Sequence, residues 1–224
     1  MKLIPVLVTI TTVLATMSPT AVRADGMQAD IDRAAAMFEE FQADPDPIIP
    51  RAVLRNARGL AFITVYQLAP YIRGGFVLSG NGSKGVLVAR TALGWSAPSA
   101  LASATAAYGP EDKAPLAEYI LVINSSDAMS TLSSGGNITL GTDVTVAEGP
   151  RKTIVGATPP AAIYTYGGSL DPSNRTSVEG AVIAVISDEN TLFYGRPVSA
   201  QSILSGLVAP PAGAAKLVKL LENH

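Results

Sequence analysis

Groups able to attack, relay protons or hold a metal are scarce in this 224-residue chain. It has no cysteine, and its one histidine, His224, is the last residue. A Cys-His nucleophile, a Ser-His-Asp triad inside the fold and a zinc site built on thiolates or imidazoles are thereby excluded. A histidine at a fraying terminus makes a poor general base. Two routes pass this filter: a carboxylate pair of the glycosidase kind, and a Ser-Lys dyad drawing on Lys84, Lys113 or Lys152. Neither has a local signature, so no catalytic residue, metal site or cofactor is expected. A small hydrolase using Ser, Lys or carboxylates is the third functional alternative.

Gly80-Asn81-Gly82-Ser83-Lys84-Gly85 spells G-x-G-x-x-G, the pattern of a dinucleotide-binding turn. That turn must open a helix and be followed by an acidic residue about 20 positions on. Here a β-type run, VLVAR, follows, and Glu111 and Asp112 lie too far away. The glycines are read instead as a hairpin turn needing positive φ.

Ligand contact is better served by cations. Arg51, Arg55 and Arg58 fall on one face of a short helix opened by Pro50 and stopped by Gly59. Three guanidinium groups so placed fork onto phosphate oxygens, and Arg73, Lys84 and Arg90 would enlarge the set. The competing reading is a solvated face whose cations sit favourably near a helix C-terminus.

The elements that must position these residues follow from periodicity. Residues 28–42 place Ile31, Ala34, Ala35, Phe38 and Phe41 on one helical stripe. Asp44-Pro45-Asp46-Pro47 ends that helix, because a residue before proline is pushed out of the α region. Ile31, Phe38 and Phe41 are candidates for membrane contact. Against this, the polar face is acidic, with Arg33 as its one cation, and packing against the sheet is the competing role.

From Leu60 onward LAFITVYQL, YIRGGFVLS and KGVLVAR read as three antiparallel strands. Trp95 is expected in the core and Pro98 at a strand-to-helix junction, with Pro98–Ala107 helical. Ala117–Asn124 reads as a buried strand. Ser126-Asp127 cap a helix through about Ser133, and residues 137–149 form a strand bent at Gly141. Ala161–Tyr166 and Ser177–Ile186 suggest a hairpin, and Ala212–Glu222 a final helix. Strands that follow one another without βαβ alternation indicate an α+β fold, predominantly an antiparallel β-sheet, open or barrel-like, with an N-terminal amphipathic helix and several short helices.

Met1-Lys2, the apolar run Leu3–Ala15 and Ala21-Val22-Arg23-Ala24 read as a cleaved secretory signal, residues 1–24. The run is too short for a membrane span of roughly 20 residues. The expectation is a secreted, or bacterial periplasmic, protein with one domain over residues 25–224. Asn81, Asn124, Asn137 and Asn174 are then glycosylation candidates. Without Lys2 and Arg23, the 16 basic residues fall below the 18 acidic ones by about four charges, so nucleic acid is not an expected partner.

The order of RGGFVLSGNGSKGVLVARTALGWSAPSAL, residues 73–101, is far from generic: strand, glycine turn, strand, Trp-Ser-Ala-Pro. Upstream is IIPRAVLRNARGLAFITV. Downstream are DAMSTLSSGGNITLGTDVTVAEGP, IYTYGGSL and SVEGAVIAV. Together these segments resemble the SYLF family over most of residues 27–206. That family includes lipid-binding modules and yeast actin-binding proteins. The resemblance implies an anionic, phosphoinositide-like phospholipid surface as partner, reached through basic residues and an N-terminal amphipathic helix. The alternative it implies is an actin-filament or protein-interaction module. ATAAYGPEDKAPLAEY, residues 104–119, departs from the family's glycine-rich stretch.

Overall fold

The computed structural model describes residues 21–43, 47–67, 71–73, 76–78, 81–103, 115–150, 161–170 and 178–224. Two helices, α1 (Ala21–Phe41) and α2 (Arg51–Asn56), precede the first strands. The strands are β1 (Gly59–Gln67), β2 (Tyr71–Arg73), β3 (Phe76–Leu78), β4 (Asn81–Thr91), β5 (Gly94–Trp95), β6 (Ser99–Ser103) and β7 (Pro115–Ile123). After α3 (Ser126–Ser133) come β8 (Asn137–Thr139), β9 (Val146–Glu148), β10 (Ile163–Ser169) and β11 (Val182–Val185). Helices α4 (Ser187–Tyr194), α5 (Ala200–Leu204) and, behind a 3-10 turn at Ala212–Ala214, α6 (Ala215–Glu222) complete the described chain.

The main sheet runs β8-β11-β6-β4-β1-β7-β10-β9, with β5 added to β4. Pairing is antiparallel throughout except between β10 and β9. Its edge strands are joined by a short segment, since β8 ends at Thr139 and β9 begins at Val146. Seven steps of chain reach at most about 24 Å. A flat sheet would separate the same strands by about 34 Å, at about 4.8 Å per strand. The sheet must therefore curl, and it forms a half-barrel of the α+β class.

The two faces carry different cores. On the convex face Leu60, Phe62, Val86, Val88, Ile120 and Val122 meet Met27, Ile31, Met37 and Phe38 of α1, Leu54 of α2 and Leu217 and Leu221 of α6. Phe38 stands edge-on to Phe62, with ring centroids 6.2 Å apart. On the concave face residues from both edges, Ile138 of β8 and Val146 of β9, join Ile63, Leu87, Leu101, Leu121 and Ile163. Met129 and Leu132 of α3 and Leu204 of α5 close it. Gly85 faces this concave side, where a Cβ would land on the Phe62 carbonyl oxygen. Glycine is what allows β4 and β1 to coil so tightly.

Several expectations change on this framework. Gly85 lies inside β4 rather than in a turn, and its φ is not in the left-handed range. β1 pairs with β4, while β2 and β3 form a separate two-stranded sheet. Residues 99–103, read as helical from their alanines, are a strand paired with β4 and β11, because burial between two strands outweighs alanine's local preference. Pro98 accordingly links strand to strand. The stretch bent at Gly141 is split between opposite edges of the sheet, and β10 and β11 never pair. The expected helix at residue 28 begins at Ala21. Helices α4 and α5 went unforeseen.

Buried polar groups fix the Trp-Ser-Ala-Pro segment. Trp95, 6% exposed, donates its indole N–H to the Leu221 carbonyl at 3.1 Å. Ser96 Oγ accepts from the Ala89 amide and donates to the Ala97 carbonyl. Asn190 of α4, fully buried, accepts from the Ala100 amide at 2.8 Å and donates to Ser99 Oγ at 2.9 Å. Tyr194 donates to the Pro98 carbonyl at 2.6 Å, and burial pushes its phenol above the ordinary value.

Candidate functional site

α2 is short because Pro50 supplies its start and Ala57, extended at φ −64° and ψ 133°, its end. Leu54, 1% exposed, anchors it to the convex core and leaves Arg51 and Arg55 in water. Arg58 does not share the helix. It leads into β1, donating its amide to the Ile123 carbonyl at 2.9 Å and accepting from the Arg90 amide at 2.7 Å. The three arginines are exposed, and none forms an ion pair among the described residues.

Arg90 comes to the same place from the far end of β4. Its guanidinium lies 4.0 Å over the Trp95 ring and donates to the Leu54 carbonyl at 3.0 Å, the last turn of α2. A cation there complements the negative end of the helix. Partial burial holds its pKa below the usual arginine value. Stacking on Trp95 restrains the side chain, so further contact with an anion costs little extra ordering.

The remaining predicted cations are elsewhere. Lys84 is six residues from Arg90 on β4, about 20 Å at strand rise. It lies 3.5 Å from Asp30 of α1 and over the Tyr66 ring at 5.6 Å. Arg73 belongs to the separate β2–β3 sheet, and its side chain lies outside the described residues. The structure thus gathers Arg51, Arg55, Arg58 and Arg90 at one end of the sheet and sets Lys84 at the other.

Beside α2 opens a cleft of about 380 Å³ lined by Ala52, Val53, Asn56, Asn124, Pro150, Ala161 and Tyr164. Asn124 donates to the Ala161 carbonyl at 3.2 Å and is half-buried, whereas Asn137 is exposed at the head of β8. The side chain of Asn81 and all of Asn174 lie outside the described residues.

Ile31, Phe38 and Phe41, the expected membrane stripe, are 1%, 1% and 9% exposed. Their packing on the sheet removes them from any membrane face of the folded chain, since releasing them would open the convex core. Sequence reading also missed what orients the helix: Arg33 makes a bidentate pair with Glu118 of β7, a carboxylate 3% exposed inside the sheet. That hydrogen bonding raises the Arg33 pKa above its ordinary value. A lone glutamate in AEYILVIN was the available signal, because a buried carboxylate requires a partner.

No group of three or more His, Cys, Asp or Glu suited to a metal occurs among the described residues. No described helix is long and apolar enough to cross a membrane. His224 is not frayed: its ring stands edge-on to Phe38 at 5.4 Å, and its Nδ1 lies 3.0 Å from the Leu220 carbonyl. Lys113 and Lys152 lie outside the described residues.

A family model described as Ysc84, Las17-binding protein actin regulator, matches residues 114–224. LAS seventeen-binding protein 3 of Saccharomyces cerevisiae is 38% identical over 186 residues, covering 80% of this chain and 39% of the yeast protein. Protein YSC84 of the same yeast is also 38% identical over 186 residues, covering 80% of this chain and 38% of its own length. The human SH3 domain-containing YSC84-like protein 1 is 32% identical over 207 residues, covering 88% of this chain and 59% of the human protein. The chain therefore matches only part of each of these longer relatives.

Proposed function

Starting from the fact that the chain belongs to the Ysc84/SYLF domain family, we propose that it is a non-catalytic binding module for anionic phospholipid surfaces, secreted after loss of residues 1–24. The observation that carries the reading is the convergence of Arg51, Arg55, Arg58 and Arg90 on one end of the sheet, three of them outside any described ion pair. Guanidinium forks match phosphate oxygens, and arginine is weakly hydrated, so it gives up water readily to a headgroup.

The test is flotation of residues 25–224 with phosphatidylserine-containing vesicles, comparing wild type with Arg51→Glu/Arg55→Glu/Arg58→Glu. Basic residues near an anionic surface contribute about 1 kcal/mol each. Charge reversal therefore lowers partitioning by roughly a hundredfold or more, and binding of the wild type weakens as salt rises. Equal flotation of the two proteins refutes the site.

The second reading is an actin-related protein-interaction module, favoured by the names of the relatives and by the description of the family model. It predicts co-sedimentation with actin filaments and indifference to lipid. Retention of residues 1–24 in the mature chain would favour it, because a secreted copy does not meet cytosolic filaments.

A further inference from the structure

At the arginine end of the sheet two large apolar side chains stand in water: Leu93 is 94% exposed and Leu207 is 82% exposed. Single exposed leucines are ordinary. These two differ in being held on two neighbouring turns, each closed by its own hydrogen bonds. Leu93 sits between β4 and β5, its amide bonded to Thr91 Oγ1 at 3.2 Å, and the same hydroxyl donates to the Gly94 carbonyl at 3.1 Å. Gly206, in the left-handed region at φ +83°, brings its backbone against Thr91, so that a Cβ there would lie 3.3 Å from Thr91 Cγ2. Leu207 follows directly, its amide bonded to the Ser202 carbonyl at 3.1 Å.

Thr91 therefore holds the first turn by hydrogen bonds and lies beside the second, and the next residue inward is Arg90, stacked on Trp95. Arg58 is bonded to Arg90 through the backbone, and Arg55 lies one turn away on α2. Acids share this end of the sheet: the Glu222 carboxylate is beside Gly94, and Asp127 and Asp188 begin α3 and α4. Charge alone is thus partly offset here, and a bilayer offers what the acids cannot oppose, an apolar interior for the leucines. Peripheral binding commonly joins headgroup attraction to shallow apolar burial.

We propose that Leu93 and Leu207 form a rigid apolar wedge that enters the acyl region of an anionic bilayer while Arg55, Arg58 and Arg90 engage the surrounding headgroups. The wedge rests on the membrane reading of the preceding section and names the part of the molecule that penetrates.

Absence of cysteine makes the test direct. Leu93→Cys, Leu207→Cys and, at the opposite end of the sheet, Thr142→Cys are each labelled with an environment-sensitive fluorophore in the full chain. Each is then mixed with phosphatidylcholine/phosphatidylserine vesicles carrying an acyl-chain nitroxide. Labels at 93 and 207 should shift to the blue and be quenched, and the label at 142 should do neither. Leu93→Ser/Leu207→Ser should lower partitioning by about a hundredfold or more, at roughly tenfold or more for each leucine withdrawn from apolar surroundings. Both positions are exposed, so folding is unaffected. Flotation with silent labels at 93 and 207 overturns the wedge while leaving headgroup binding intact. Failure of the wild type to float overturns the membrane reading and the wedge with it. Loss of filament co-sedimentation in the double serine variant would assign the leucines to a protein contact instead and likewise overturn the wedge.

Discussion

Removing the guanidinium of Arg33 should damage the fold more than loss of any other cation on α1 or α2. Its partner Glu118 is 3% exposed in the middle of the sheet, and the paired side chains are 43% and 4% exposed. In Arg33→Ala the carboxylate stays buried without its bidentate donor. Stripping one partner from a fully buried pair costs about 3–5 kcal/mol, and a hydrogen bond to a charged group contributes about 1.5–3 kcal/mol. Water reaches Arg33, so the lower range applies, about 2–3 kcal/mol. At about 2–4 °C per kcal/mol for a chain of this size, Tm falls by roughly 4–12 °C.

A double-mutant cycle isolates the pair from lost packing. Urea unfolding followed by circular dichroism is measured for wild type, Arg33→Ala, Glu118→Leu and the double variant. Once Glu118 is leucine, Arg33→Ala should cost less than about 0.5 kcal/mol, because nothing charged is left stranded. If Arg33→Ala costs the same in both backgrounds, the pair does not hold α1 to the sheet and the reasoning fails.

Asn190→Leu leaves the Ala100 amide and Ser99 hydroxyl without their buried partner and should destabilise by about 2–4 kcal/mol, read as an earlier urea midpoint at unchanged slope. Asp143 is held below its ordinary carboxylate value chiefly by the Thr139 amide, 2.7 Å from Oδ2. A depressed folded pKa adds stability above the unfolded value that is lost as pH falls through the folded one. The Tm gap between wild type and Asp143→Ala should therefore be full above about pH 5 and close toward about pH 2. A gap that widens on acidification would reverse that sign.

The α+β class, the buried strand Pro115–Ile123, the helices at 126–133 and 215–222 and the amphipathic stripe of α1 were all legible from periodicity, a local property, although the cap of α3 is Ser125, whose hydroxyl accepts from the Ala128 amide, rather than Ser126-Asp127. Trp95 in the core followed from its size. The family followed from the order of its motifs. What stayed hidden depends on partners far along the chain. Alanine-rich residues 99–103 became a strand because β4 and β11 flank them, and β8 and β9 went to opposite edges because the sheet curls.

The same division runs through the candidate site. Sequence alone determined that the chain has no thiol and a single histidine, at residue 224, and that cations cluster near Arg51. Only the tertiary structure decided which cations meet. Arg90 joins Arg55 and Arg58 because antiparallel pairing of β1 with β4 brings residue 90 beside residue 58, and the same pairing carries Lys84 to the other end. Ile31, Phe38 and Phe41 were withdrawn from the surface by the sheet beneath them, whereas Leu93 and Leu207 were left outside it. Burial is set by what packs against a side chain, and no local pattern records that.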